Sequence, residues 1–306
     1  MNSILSIRDF DEKDKIIRLL NFADDIKKNP EKYFKALKNY TIILIFEKTS
    51  TRTRISFESG IYQLGGNAIY LDWRTANFHL GDLKDEIKCI SRYVNLIVAR
   101  VYKHQTLEIM KDVSNIPVIN ALSDKYHPCQ ILSDLMTIRE HFRRLEGIKI
   151  AFIGDGNNVC NSLIIGCTFL NIPITVATPK KYRPLQEVLD WVKSQNLDEY
   201  LKLTENPVDA VKDADVIYTD TFVSMGQEAE AEERLKIFKP YQVNSELLSN
   251  CEKDYIIMHC LPAHRGVEIT DEVLDSKNSI IFDQAENRLH LQKALLLSVL
   301  KENFQL

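Results

Sequence analysis

Short apolar, β-branched runs separated by stretches of helical periodicity recur from one end of this chain to the other, and that alternation restricts the fold more than any other feature. The runs are Thr41 to Phe46, Ala68 to Leu71, Leu96 to Val101, Pro117 to Asn120, Ile148 to Ile153, Ile174 to Ala177, Asp215 to Thr219, Tyr255 to His259 and Ser279 to Phe282. Alternation of this kind implies βαβ units and parallel sheets buried under helices. Nine strands are many for one open sheet, and 306 residues are enough for two cores of roughly 150 residues each. Pro128 begins a long helical pattern, Ile131, Leu132, Leu135 and Ile138, that runs to about Arg144 and reads as a bridge between two α/β domains. The expected domains are 1–139 and 140–306. The last segment, Glu286 to Leu300, is helical and apolar on one face through Leu289, Leu296 and Leu300.

Composition narrows the function classes. A hydrophobic content of 45% and a charged content of 27% are those of an ordinary globular protein. The net charge of -4 gives no global field for nucleic acid, so any anion must be held by a local cluster. No apolar run reaches the roughly 18 residues a membrane span requires, and the acidic start lacks a signal-peptide core, so a cytoplasmic protein is expected. The six cysteines, at 89, 129, 160, 167, 251 and 260, show no CxxC spacing and read as mostly reduced core thiols. No low-complexity linker or internal repeat is evident.

Polar clusters follow nearly every strand, at the edge where open α/β sheets bind ligands. They are Arg100, then His127-Pro128-Cys129-Gln130, Gly154-Asp155-Gly156-Asn157-Asn158, Asp220 with Ser224-Met225-Gly226, His259-Cys260-Leu261-Pro262, and Glu286-Asn287-Arg288. Together they describe a cleft between the two domains. The predicted fold class is therefore α/β: two domains, each a parallel β-sheet flanked by helices, with the active site in the cleft between them.

The densest cluster is Ser50-Thr51-Arg52-Thr53-Arg54, directly after the first strand and before the helical repeat Phe57, Ile61, Leu64. A helix starting near Ser50 aims unpaired N–H groups and the positive end of its dipole at an anion, while hydroxyls and the planar Arg52 fork add donors. That is a phosphate site. The competing reading, a capped helix with surface arginines, is accepted for Arg54, which falls four residues before Glu58. The glycine turn at 154–158 fails as a dinucleotide fingerprint, because the third glycine is replaced by Val159 and the second strand ends in Thr178 where a ribose-binding acid belongs. His259, Cys260 and His264 lack a fourth ligand for zinc, and no local signature puts a general base beside Cys260. His127 also reads as a helix-entry residue before Pro128, and Asp220 as the cap of a turn.

Read together, these segments resemble the aspartate/ornithine carbamoyltransferase family, in order and over essentially the whole chain. Ser50 to Arg54 is similar to its carbamoyl-phosphate signature, and His127-Pro128-Cys129-Gln130 to its second. Asp220-Thr221-Phe222-Val223-Ser224-Met225-Gly226, Tyr241-Gln242-Val243-Asn244, His259 to Gly266 and Ala285 to His290 resemble the ornithine branch. The resemblance implies transfer of the carbamoyl group of carbamoyl phosphate to the δ-amine of L-ornithine, giving L-citrulline and phosphate, with neither metal nor organic cofactor. It implies phosphate contacts from Ser50, Thr51 and Arg52, and oxyanion donors in Thr53, Arg100 and His127. Gln130, the backbone of Cys260 and Leu261, and Arg288 would orient the carbamoyl amide. Asn158, Asp220, Ser224 and the Met225 backbone would hold the amino-acid end. Cys260 would stand beside the δ-amine with Asp220 close, positioning it and handling its proton rather than forming a covalent adduct. The acidic stretch after Gly226 reads as a lid over ornithine.

The same resemblance implies a C-terminal helix, about 286–306, packed back on the first domain, and a homotrimer or an assembly of trimers whose subunits share sites through a Gln-Leu-Gly loop. Here that segment reads Phe78-His79-Leu80-Gly81-Asp82-Leu83-Lys84-Asp85, with His79 in place of the glutamine and about three residues fewer, roughly 10 Å of extended chain. His79 is thus the expected donor to a neighbouring subunit. Rival readings are a carbamoyltransferase acting on N-acetylornithine, putrescine or aspartate, or a non-catalytic ligand-binding paralogue.

Overall fold

The computed structural model describes residues 3–224 and 226–304. The chain divides into two compact units, Met1–Met136 with Glu286–Leu306, and Thr137–Ala285. Among the described residues, nine strands form two wholly parallel sheets, one in each unit.

The first unit begins with α1 (Lys13–Lys28) and alternates β1 (Thr41–Phe46), α2 (Thr51–Gln63), β2 (Asn67–Asp72), α3 (Leu83–Ile90), β3 (Leu96–Arg100), α4 (His104–Val113) and β4 (Val118–Leu122), before α5 (Pro128–Phe142). Its strand order is β2-β1-β3-β4. Every residue of β3 and β4 is buried, as helix-covered parallel strands require, β4 being met on its outer side by a bridge from Ile4 to Ile119, whereas the other end strand, β2, is only half-buried. Ile43, Ile45, Ile97, Ala99 and Val118 form one core with Ile87, Leu107 and Met110 of the covering helices. Because the chain leaves β1 to one side for β2 and to the other for β3, the loops after β1 and β3 flank a switch point, where α/β sheets bind ligands. Phe46 and Arg100 end those two strands in register.

The second unit carries β5 (Ile150–Ile153), α6 (Asn158–Phe169), β6 (Ile174–Ala177), α7 (Gln186–Ser194), β7 (Leu201–Thr204), α8 (Pro207–Val211), β8 (Val216–Thr219), α9 (Ala231–Phe238), α10 (Ser245–Leu248), β9 (Ile256–His259), α11 (Asp271–Leu274) and the start of α12 (Ile281–Leu300). The order β7-β6-β5-β8-β9 puts its switch point between β5 and β8. The turns at 154–158 and 220–224 therefore emerge side by side. The underlying core includes Ala151, Ile153, Ile217, Ile257, Phe222 and Phe238.

Two elements differ from the sequence reading. Ser279 to Phe282 is not a strand: Ser279 makes a single bridge to Ile257, and α12 starts at Ile281. Its buried positions, 281, 284, 287, 288 and 291, follow the helical repeat, and Phe282 is left exposed. The ninth strand is instead β7, an edge strand whose exposed Lys202 interrupts the apolar run. No helix among the described residues is long and apolar enough to cross a membrane.

Candidate active site

In the first unit the loop after β1 enters α2 through Ser50, whose extended backbone and Oγ, accepting from the Thr53 N–H at 3.3 Å, cap the helix. Ser50 is thus both the cap and part of the donor-rich turn. No acidic residue stands in the first turn of α2, so its positive end is uncompensated by side chains there. Thr51 is exposed, Arg52 half-buried and Thr53 fully buried. Arg54 pairs with Glu58 at 3.1 Å and stacks on Tyr70 at 3.8 Å, the surface role its spacing predicts.

Thr53 is where two buried arginines of this unit meet. Its Oγ1 accepts from Arg288 Nη2 at 3.1 Å and from Arg100 Nη1 at 3.5 Å. Arg288 Nη1 donates to Gln130 Oε1 at 2.8 Å and lies 3.5 Å from His127 Nε2, while Gln130 Nε2 donates to Asp134 at 2.9 Å. All of these side chains are buried, Arg100 being the most accessible at 7%. Burial first, then Arg288 and Arg100, hold the His127 imidazole well below its ordinary range. It is therefore a neutral ring beside two fixed guanidiniums, able to donate a hydrogen bond without adding a third charge. Thr53, Arg100, His127, Gln130 and Arg288, scattered in sequence, are one hydrogen-bonded set. His79 is not part of it; it is the exposed last residue of the turn Asn77–His79.

In the second unit the corresponding centre is a carboxylate. Asp220, 6% exposed, lies just beyond β8. Its Oδ1 accepts from the Cys260 thiol at 3.0 Å and from the Thr221 N–H at 2.8 Å, and its Oδ2 from Asn157 Nδ2 at 2.7 Å. Asn157 in turn caps α6 by accepting from Val159 and Cys160 N–H groups, and Asn158 is the first helical residue beside it. Ser224 and Gln227 close the turn after Asp220 through two 3.0 Å bonds. Met225 lies outside the described residues. Leu261 donates its N–H to His259 Nδ1 at 2.9 Å, which leaves only its carbonyl to face a ligand.

Glycine explains the local path at 154–158. A Cβ on Gly156 would come within 2.3 Å of Pro184 N and 2.6 Å of Tyr182 O, so what the missing side chain makes room for is the chain's own 182–184 backbone. Metal chemistry meets an obstacle. Asp220, His259 and Cys260 place ligand atoms within 4.8 Å of one another. Yet His259 spends Nδ1 on Leu261 and Nε2 on Glu268 at 3.1 Å, which fixes its tautomer and leaves no lone pair for an ion.

Sequence reasoning missed four residues here. Asn157 bonds Asp220. Glu268, fully buried, holds His259 and the His264 N–H. Asp155 and Arg234 form a buried ion pair, with Arg234 Nε donating to Phe222 O at 2.7 Å and its guanidinium 4.4 Å from the Tyr182 ring. Burial raises Asp155 to about 6 against the opposing pull of Arg234. The one available signal was an arginine directly after the acidic run 228–233, and it reads there as a surface charge.

Two family models match the chain: the carbamoyl-P binding domain of aspartate/ornithine carbamoyltransferase over residues 2–140, and the Asp/Orn binding domain of the same family over 146–299. The ornithine carbamoyltransferase of Bacillus subtilis is 49% identical over 300 residues, covering 97% of this chain and 93% of its own. That of Thermococcus kodakarensis is 50% identical over 303 residues, covering 97% and 96%. Among solved structures, the ornithine carbamoyltransferase of Pyrococcus furiosus superposes with a TM-score of 0.92 at 47% identity, covering 98% of this chain and 97% of its own. The anabolic enzyme of Campylobacter jejuni gives 0.91 at 41% identity, covering 98% and 99%. With matches of this extent to both halves, and with the motifs seated at two switch points as described, this chain belongs to the aspartate/ornithine carbamoyltransferase family.

Proposed function

We propose that this protein is an ornithine carbamoyltransferase, transferring the carbamoyl group of carbamoyl phosphate to the δ-amine of L-ornithine to give L-citrulline and phosphate. The observation that carries the reading is the opposite chemistry of the two switch points. One gathers the guanidiniums of Arg100 and Arg288 at a helix start, which suits a dianion. The other centres on the Asp220 carboxylate, which suits an amine that arrives as an ammonium ion.

Ser50, Thr51, Arg52 and the N–H groups opening α2 hold the phosphate, with His79 of a neighbouring subunit as a further donor in a homotrimer. Attack of the neutral amine forms a C–N bond and pushes the carbonyl electron pair onto oxygen. Thr53, Arg100 and the neutral His127 donate to that oxyanion, the largest single contribution in acyl-transfer chemistry of this kind. Collapse of the intermediate breaks the C–O bond to phosphate. Gln130, Arg288 and the Cys260 and Leu261 carbonyls orient the carbamoyl group. Asn158, Ser224 and Met225 hold the amino-acid end, and Asp220 with Cys260 takes the proton the amine sheds. The segment after Gly226 closes over ornithine. The reaction so described uses no metal or cofactor, and a cytoplasmic location is consistent with it.

Citrulline and phosphate released in equal amounts by the purified protein from carbamoyl phosphate and L-ornithine test the reading. N-acetylornithine, putrescine and aspartate serve as competing acceptors, and preference for any of them would replace it. A second check is Cys260→Ser, which should keep substantial activity while raising the ornithine KM more than the carbamoyl-phosphate KM, because a hydroxyl can still donate to Asp220. A carbamoyl-cysteine adduct found by mass spectrometry would instead make Cys260 a nucleophile.

A further inference from the structure

The residue that opens the phosphate-type loop extends the first sheet with its side chain. Phe46 ends β1 in register with Arg100, the last residue of β3. One further rung of a parallel ladder would have residue 47 donate its N–H to the Arg100 carbonyl and accept the Tyr102 N–H at its own carbonyl. The first bond is made, at 2.9 Å. The second is made by the carboxylate: Tyr102 N–H donates to Glu47 Oε2 at 2.8 Å. The side chain thus stands in for the main-chain carbonyl, so the backbone can leave the sheet at 47 and reach the Ser50 cap while the ladder beside Arg100 continues.

The opposite side of β3 shows why such a clamp matters. The register there shifts between Ala99 and Arg100, so that Arg100 pairs with Leu122, and Val101 N–H reaches Leu122 O at 3.0 Å. Regular pairing with β4 therefore ends at the residue whose guanidinium meets Thr53. A carboxylate three residues before Ser50 also works against anion binding by simple repulsion. Its bond to a backbone N–H gives it a task that offsets this cost, and a charge-assisted bond is stronger than a neutral one.

We propose that Glu47 is a positioning residue of the carbamoyl-phosphate site, its carboxylate clamping the turn after β3 so that Arg100 stays against Thr53. The inference rests on the reading of that site given above. Glu47→Ala should raise the carbamoyl-phosphate KM about tenfold and lower kcat, while the ornithine KM stays within about twofold. Glu47→Gln, whose amide oxygen still accepts a hydrogen bond, should stay within about threefold of wild type in every constant. In the unliganded protein the Tyr102 amide should exchange with solvent faster in Glu47→Ala and at the wild-type rate in Glu47→Gln. A carbamoyl-phosphate KM unchanged in Glu47→Ala, with or without a fall in Tm, would overturn the proposal. So would a glutamine variant as impaired as the alanine one. Wild-type protein that makes no citrulline would refute the functional reading instead, and Tyr102 exchange would still decide whether the clamp exists.

Discussion

Arg100→Ala should lower kcat/KM for carbamoyl phosphate by a factor of roughly 30 to 5,000, the equivalent of about 2 to 5 kcal/mol, which is typical of truncating one side of a desolvated charged contact. The side chain is 7% exposed and reaches Thr53, so what is lost is a fixed donor aimed where negative charge develops. The loss should fall on kcat as well as on KM, because the oxyanion forms only during reaction. A second readout separates this role from simple packing. Arg100 is one of the charges that hold His127 well below its ordinary range. Removing it should move the imidazole upward, towards the value of an ordinary histidine, by an amount visible in the NMR titration of the ring. Since burial and Arg288 are the larger causes, the shift should be partial. An unchanged kcat/KM, or a His127 ring indifferent to the substitution, would remove Arg100 from the oxyanion set.

The phosphate-type turn was legible because its signal is local: hydroxyls and an arginine fork at a strand-to-helix junction depend on residues adjacent in sequence. The Thr53 cluster was legible only as separate polar clusters at strand ends, and family resemblance supplied their roles. Its members come from α2, β3, the entry and first turn of α5, and α12, and no periodicity announces that Arg288 reaches Gln130 across 158 positions. The strand pattern failed in two places for one reason, that a four-residue apolar run does not distinguish a half-buried edge strand from the first turn of a buried helix. Leu201–Thr204 was passed over because Lys202 points to solvent, and Ser279 to Phe282 was read as a strand although its buried positions continue into α12. The ion pair of Asp155 and Arg234 was illegible in principle. A buried arginine and a surface arginine are the same letter, and only the fold brings 155 and 234 together.

That pair gives the largest expected effect on stability. Asp155→Ala should destabilise the second unit by about 3 to 5 kcal/mol in urea unfolding, because it leaves the Arg234 guanidinium buried without its counter-charge. The cost of breaking the pair is not the worth of the pair, and two further variants separate them. Asp155→Leu combined with Arg234→Met should recover part of the loss, since an apolar pair of similar volume has no charge to desolvate. Recovery should fall short by about 1 to 3 kcal/mol, because Arg234 Nε also satisfies the Phe222 carbonyl, which would be left without that donor. Asp155→Asn tests the charge alone. Burial raises Asp155 to about 6, above the usual 3.8, so the folded state holds its proton more tightly than the unfolded chain does. The stability this confers is present below pH 3.8 and is lost as pH rises through 6, so wild type should lose ground to Asp155→Asn across that window. Unfolding curves for the two proteins that stay parallel from pH 4 to 6.5 would mean that Arg234 keeps Asp155 ionised throughout, and that the pair stabilises the unit by attraction rather than merely avoiding the cost of a stranded charge.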